Sequence, residues 1–149
     1  MYNNINVAAV RSIMDNLEYY NRLVIPSTPE GLKACLNLVP IIHHKLHLDD
    51  KTSFALRTIL IESVTNAICH GNHYKADLNA IITIKINRKQ IFVEVEDQGE
   101  GFDASLIPCP IDKDNISLES GRGIFFIREF SNSFKTVGKG NIVNIIIDR

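Results

Sequence analysis

A chain of 149 residues, 45% hydrophobic and 22% charged, has the size and balance of one domain with its own core, which excludes a disordered chain and a fibrous repeat. The formal charge is -1 and the Lys and Arg residues are scattered rather than gathered in a stripe, so direct nucleic-acid binding is not expected. Cys35, Cys69 and Cys109 are odd in number, far apart and free of any C-x-x-C, which argues against a disulfide framework and a thiolate zinc site and points to a reducing cytoplasm.

The opening MYNNINVAAV lacks a basic segment followed by an apolar one, and no apolar run approaches the roughly 20 residues that span a bilayer, so neither export nor membrane insertion is expected. Residues 6 to 20 place Val10, Ile13, Met14, Leu17 and Tyr20 near helical spacing and predict a short amphipathic helix or a partly ordered extension. RLVIPSTPEG reads as a strand ended by Pro26. A helix follows to about Leu46, with Ser27 or Thr28 as N-cap, Pro29 at its first position and Glu30 just inside.

LDDKTSFALRTILIESVTNAICHG is a second helix, opened by an Asp cap and stopped by Gly71. AIITIKIN and IFVEVED are alternating, β-branched stretches joined by the polar RKQ, the pattern of a hairpin. Residues 98 to 121 hold Gly99, Gly101, Pro108 and Pro110 without a sustained period and read as a long loop. Such loops, beyond about 12 to 15 residues in a compact domain, are usually lids or binding loops. GIFFIREF restarts a helix, and SFKTVGKGNIVNIIID closes the chain as two strands around a Gly-Lys-Gly turn. The sum is an α+β two-layer sandwich, a mixed or mostly antiparallel sheet covered on one face by helices.

The second helix carries an unusual polar face. With Glu62 at zero and about 100° per residue, Leu56, Leu60, Ile61, Val64, Ala67 and Ile68 fall in an arc from about 120° to 260°, the expected core face. The opposite arc holds Thr58, Glu62, Ser63, Thr65, Asn66, Cys69 and His70, and Glu62, Asn66 and His70 stack at i, i+4 and i+8. A solvated face favours Lys, Glu, Arg and Gln, whereas Ser, Thr, Asn and His are poorer helix formers that compete for backbone hydrogen bonds. Two readings stand: a half-buried polar face under a loop, or a carboxylate and a carboxamide directed at one ligand.

Two glycine segments bear on that choice. VEVEDQGEGFD runs a strand into Asp97-x-Gly99-x-Gly101, so a carboxylate able to accept from an exocyclic amine emerges beside two glycines; alone, the pattern is also an ordinary turn. ESGRGIFFI sets Gly121 and Gly123 at the start of an apolar helix, where free N–H groups and the helix dipole suit phosphate oxygens, or where a hinge precedes a helix. Arg122 between them meets a phosphate, a partner's carboxylate, or only solvent.

In this order the segments resemble the histidine-kinase-like ATPase (GHKL) fold, and within it the small anti-sigma factor serine/threonine kinases. ESVTNAICHGN is similar to that family's N-box, DQGEGFD to its G1 box and SGRGIFFI to its G2 box. The resemblance covers residues 21 to 149, with residues 1 to 20 as an N-terminal extension. It implies that Glu62 is the general base for an attacking hydroxyl, that Asn66 gives an amide oxygen to Mg²⁺, and that Asp97 reads the adenine amine of ATP. It implies further that Gly99, Gly101, Gly121 and Gly123 let the backbone embrace the nucleotide, that Ala104 to Ser120 form its lid, and that His70 packs at the helix end. The family's usual Gly-Thr near the last strand, whose hydroxyl supports the adenine-binding Asp, is absent; GKGNIVNII offers Asn141 in its place, or the contact is lost.

His43 and His47 share a helix at i, i+4 without an acidic or sulfur ligand beside them in sequence, which leaves them as ordinary histidines rather than a metal site. The P-loop, the Rossmann fingerprint and the eukaryotic protein-kinase set are all missing, so any phosphotransfer must run through the Glu62 helix face. The resemblance implies an ATP-dependent kinase that phosphorylates a small antagonist protein and sequesters a sigma factor, as a cytoplasmic homodimer. The alternatives are a nucleotide-dependent partner-switching module without phosphotransfer, and a detached ATPase domain of a sensor histidine kinase. Against the last stands Glu62, where those kinases often have Asn.

Overall fold

In the computed structural model, which describes residues 11, 14–101 and 122–149, five strands form one sheet in the order β1-β2-β3-β5-β4. They are β1 (Tyr19–Pro26), β2 (Asn79–Ile86), β3 (Gln90–Asp97), β4 (Ser133–Val137) and β5 (Ile142–Asp148). All four pairings among the described residues are antiparallel, so the expected α+β sandwich holds with a sheet that is antiparallel rather than mixed. The β2–β3 turn is closed by Asn87, whose Oδ1 accepts from the N–H groups of Lys89 and Gln90, both at 2.8 Å. Gly138 and Gly140 take positive φ in the β4–β5 turn.

Side-chain alternation puts Ile82, Ile84 and Ile86 of β2, Ile91, Val93 and Val95 of β3, and Val143, Ile145 and Ile147 of β5 on one buried face. Four helices pack there: α1 (Pro29–Leu36), α2 (Leu38–Leu46), α3 (Asp50–Asn66) and α4 (Arg122–Phe130). The same parity carries Asp97, the last residue of β3, onto the core side, at 3% exposure.

The single helix expected to run to Leu46 is two. A continuous helix would drive the Pro40 ring into the carbonyl four residues back; breaking at Asn37 puts Pro40 in the first turn of α2, where no N–H is needed. Thr28 is the N-cap of α1, its hydroxyl accepting from Gly31 N–H at 3.2 Å. Near the start of the chain, Arg11 and Met14 are helical, Asn16 turns to φ 66° and Tyr19 already belongs to β1, so the helix does not reach residue 20. The rest of its expected span lies outside the described residues.

Asp49 caps α3, accepting from Thr52 N–H at 2.8 Å. The buried arc of α3 is rotated from the expected one. Ile59 is fully buried, Ile61 is half-buried, and Ser63 faces the core at 2% exposure with its hydroxyl donating to Ile59 O at 2.6 Å. The cause is that α3 is wedged between the sheet and α4, so its apolar surface must serve two neighbours. Among the described residues no helix is long and apolar enough to cross a membrane.

Leu60 is fully buried on the side of α3 facing away from Glu62. Leu60→Ala is expected to lower unfolding free energy by about 2–5 kcal/mol through lost burial and a residual cavity, read from denaturant titration.

Candidate functional site

The last two turns of α3 bring Glu62 and Asn66 to the first turn of α4. A methyl group on Gly123 would stand 2.6 Å from Glu62 Oε2 and 3.7 Å from both polar atoms of the Asn66 amide. A larger residue at 123 would push the Glu62 carboxylate aside, so glycine leaves that head where it is under α4. Arg122, the first residue of α4, is exposed beside them. Glu62 has no hydrogen-bond or ion-pair partner among the described residues, and burial pushes its carboxyl above the ordinary glutamate range. The Asn66 amide likewise has no partner among the described residues.

Beyond Asn66 the helix widens into a π-turn, Ala67–Gly71, closed by Asn72 N–H to Ala67 O at 2.8 Å and followed by Tyr74 N–H to Ile68 O at 2.9 Å. Such single-turn widenings recur at functional sites. His70, within the π-turn, is exposed, so it does not pack at the helix end. Gly71 instead arrives directly on Asp97: a methyl group there would lie 2.5 Å from Asp97 Oδ2 and 2.6 Å from Oδ1. Read from sequence as a helix stop, Gly71 is the contact between helix layer and sheet.

Asp97 Oδ1 accepts from Gly99 N–H at 2.9 Å. Burial raises its carboxyl above the ordinary aspartate range against the opposing pull of that N–H and of Lys139. Gly99 is pressed against the Gly71 carbonyl, and Gly101, at φ 79°, against the turn around Asn141. These two glycines therefore let chain segments meet each other at the rim of the site. Asn141 meets Asp97 through the backbone: its Nδ2 donates to Asp97 O at 3.2 Å, and its carbonyl accepts Asp97 N–H at 2.9 Å. It anchors the strand end rather than the carboxylate.

Gly121, the lid expected from Ala104 to Ser120, and Cys109 lie outside the described residues. Cys35 is buried, its thiol pushed up to about 12, which makes it inert. His47 caps α2 in a left-handed conformation, its N–H on His43 O, and no group of three His, Cys, Asp or Glu among the described residues is placed to hold a metal. A cavity of about 420 Å³ lies at the opposite end of α3, lined by Asp49, Thr52, Glu129 and Arg149, and holds none of the site residues.

A family model of the histidine kinase-like ATPase domain matches residues 25–147. The chain belongs to that family. No curated protein matches it. A histidine kinase-like ATPase domain is a nucleotide-binding module. The contacts above gather two polar clusters: Glu62, Asn66 and Gly123 at one end, Gly71, Asp97 and Gly99 at the other. The residues fit a Mg²⁺ ion that arrives with the nucleotide. Asn66 offers an unpartnered amide, and phosphate oxygens would complete a shell that the protein alone does not supply.

Sequence reading missed Asn72, which is wholly buried behind the π-turn. Its signal was present: an Asn directly after the helix-stopping glycine, at the end of the stretch ESVTNAICHGN.

Because the folded state raises the proton affinity of Glu62, it binds more protons than the unfolded chain between the ordinary glutamate value, about 4.3, and the raised one. Stability attributable to this group is thus greatest below that window and falls as pH rises through it. Glu62→Gln should therefore melt higher than the parent at pH 7.5, with the gap closing near pH 4. A variant that melts lower at pH 7.5 would contradict an unpaired, buried carboxylate.

Proposed function

We propose that the protein is an ATP-dependent serine/threonine protein kinase that phosphorylates a small antagonist protein and, when free of it, sequesters a sigma factor, as a cytoplasmic homodimer. The supporting observation is Glu62. A half-buried carboxylate with no partner among the described residues, raised in proton affinity and lying against the glycine near the start of α4, is a poor structural element and a good proton acceptor. Nucleotide binding by itself calls for no base there.

On this reading the hydroxyl of the antagonist's Ser or Thr gives its proton to Glu62 as its oxygen bonds to the terminal phosphorus of ATP, whose bond to the β-phosphate oxygen breaks and releases ADP. Mg²⁺, when bound through Asn66, supplies charge neutralisation to the phosphates. Gly123 keeps space open above both side chains, and the N–H groups at the start of α4 add donors for anionic oxygens. At the far end Asp97 accepts the amine of adenine with the oxygen that Gly99 does not occupy.

Glu62→Ala should lower phosphotransfer about 10²- to 10⁴-fold, roughly 3 to 5.5 kcal/mol of barrier, with nucleotide affinity largely retained. The check is a radiolabel transfer assay with the antagonist beside a binding isotherm; undiminished transfer removes Glu62 from the mechanism. In the parent, the acid limb of kcat/KM should lie above the ordinary glutamate range, since the base must be unprotonated and burial holds its proton on.

Asn66→Ala should abolish the Mg²⁺-dependent part of nucleotide affinity. Calorimetry with and without the metal measures this directly, and equal metal dependence in both proteins would contradict the assignment.

A further inference from the structure

Asn72 closes the π-turn with its backbone and clasps the sheet with its side chain. It is 0% exposed, and every polar atom of the side chain has a partner. Nδ2 donates to Ser27 Oγ at 2.8 Å and to Asn79 O at 2.9 Å, while Oδ1 accepts from Gln98 N–H at 2.8 Å. Ser27, itself 2% exposed, passes its own hydroxyl proton to Leu78 O at 2.8 Å. Gln98 is held a second time, its Oε1 accepting Asn79 N–H at 2.7 Å. The end of β1, the start of β2 and the end of β3 are thereby joined at one buried amide.

The bond to Gln98 has the most consequence. The peptide bearing that N–H begins at the Asp97 carbonyl, and a planar peptide held at its N–H and, through Asn141 Nδ2, at its carbonyl cannot rotate. The direction in which Asp97 projects its carboxyl is then set from both sides. Asn72 also fixes where Gly71 lies, because its N–H ends the π-turn of which Gly71 is the last residue. Glycine and carboxyl meet without room for a methyl group, so both faces of that contact depend on Asn72.

We propose that Asn72 is a positioning residue for base recognition: through Gln98 N–H it sets the depth and direction of the Asp97 carboxyl. This rests on the reading of Asp97 as the acceptor of the adenine amine. A purely structural Asn72 differs in consequence, since its loss would weaken the fold without changing which base is preferred.

The test compares binding of ATP with that of purine riboside triphosphate, which lacks the 6-amine, in the intact chain under conditions where circular dichroism shows each variant folded. In Asn72→Ala, ATP affinity should fall about tenfold while affinity for the analogue stays within twofold. Without any ligand, the Gln98 amide should exchange with solvent faster than in the parent. Asn72→Asp keeps the acceptor for Gln98 and loses the two donors, so its preference for ATP should fall by no more than the threefold of the donor side while it melts lower. Parallel loss of both affinities in Asn72→Ala, or an unchanged pair, overturns the proposal while leaving Asp97 in its role. A parent that binds both nucleotides equally overturns the reading of Asp97 and the proposal with it. Should Asn72→Ala fail to fold, Ser27→Ala decides: a selective loss of ATP affinity of about threefold supports the proposal, and an unchanged preference overturns it.

Discussion

The arrangement of this protein depends on one contact, that of the Gly71 backbone with the Asp97 carboxyl. A strand of period two and a helix of period 3.6 are independent of each other until something forces them to register. Here the strand parity that buries Ile91, Val93 and Val95 also delivers Asp97 into the helix layer, and the π-turn delivers Gly71 to meet it. An uninterrupted α-helix would advance each residue by about 100° and present a different backbone atom at that depth. The widened turn is the adjustment that makes both periods arrive together, and glycine is the residue that permits the closeness.

The two carboxyl groups at the site, Glu62 and Asp97, sit where an isolated carboxylate is disfavoured, and they are treated differently. Asp97 has Gly99 N–H on one oxygen, which offsets part of its burial. Glu62 has no such donor among the described residues. A half-buried carboxylate without a partner among the described residues costs stability, which fits a place kept for another purpose. Ser63, next to Glu62 in the chain, shows the ordinary solution: it turns inward and returns its proton to the Ile59 carbonyl. The contrast between neighbours on one helix separates packing from chemistry.

Most of the architecture was legible because it rests on local rules. Pro26, Thr28 and Pro29 end a strand and start a helix by conformational restriction alone, and alternation in AIITIKIN and IFVEVED fixes a hairpin and its faces. What could not be read depends on distances between segments remote in sequence. Periodicity on α3 suggested one core arc, but a helix wedged between a sheet and α4 buries Ile59 and Ser63 as well, and no single-helix projection contains its neighbours. The π-turn left no compositional trace, since AICHG is equally compatible with a continuing α-helix; it follows from the demand at Asp97. The glycines of the segment after β3 were read as space for a ligand, whereas the atoms nearest to them are Gly71 and the turn at Asn141. A glycine's missing side chain is visible in sequence, but what approaches it is not.

The spacing of the two polar centres bears on the nucleotide reading in a way neither centre does alone. From Glu62 to Gly71 the helix axis rises roughly 13 Å at about 1.5 Å per residue, the scale of an extended nucleoside triphosphate from base to terminal phosphate. One rigid element therefore spans both ends of such a ligand, with Glu62 and Asn66 at the phosphate end and the π-turn at the base end. Rigidity matters because a proton acceptor misplaced by an ångström loses most of its effect, and a helix holds its side chains better than a loop does. Asp97, though it comes from the sheet, is tied to the same helix through Gly71. On the proposed reading, base recognition and proton acceptance are held by a single frame, α3 and its widened end, against which the first turn of α4 lies at Gly123.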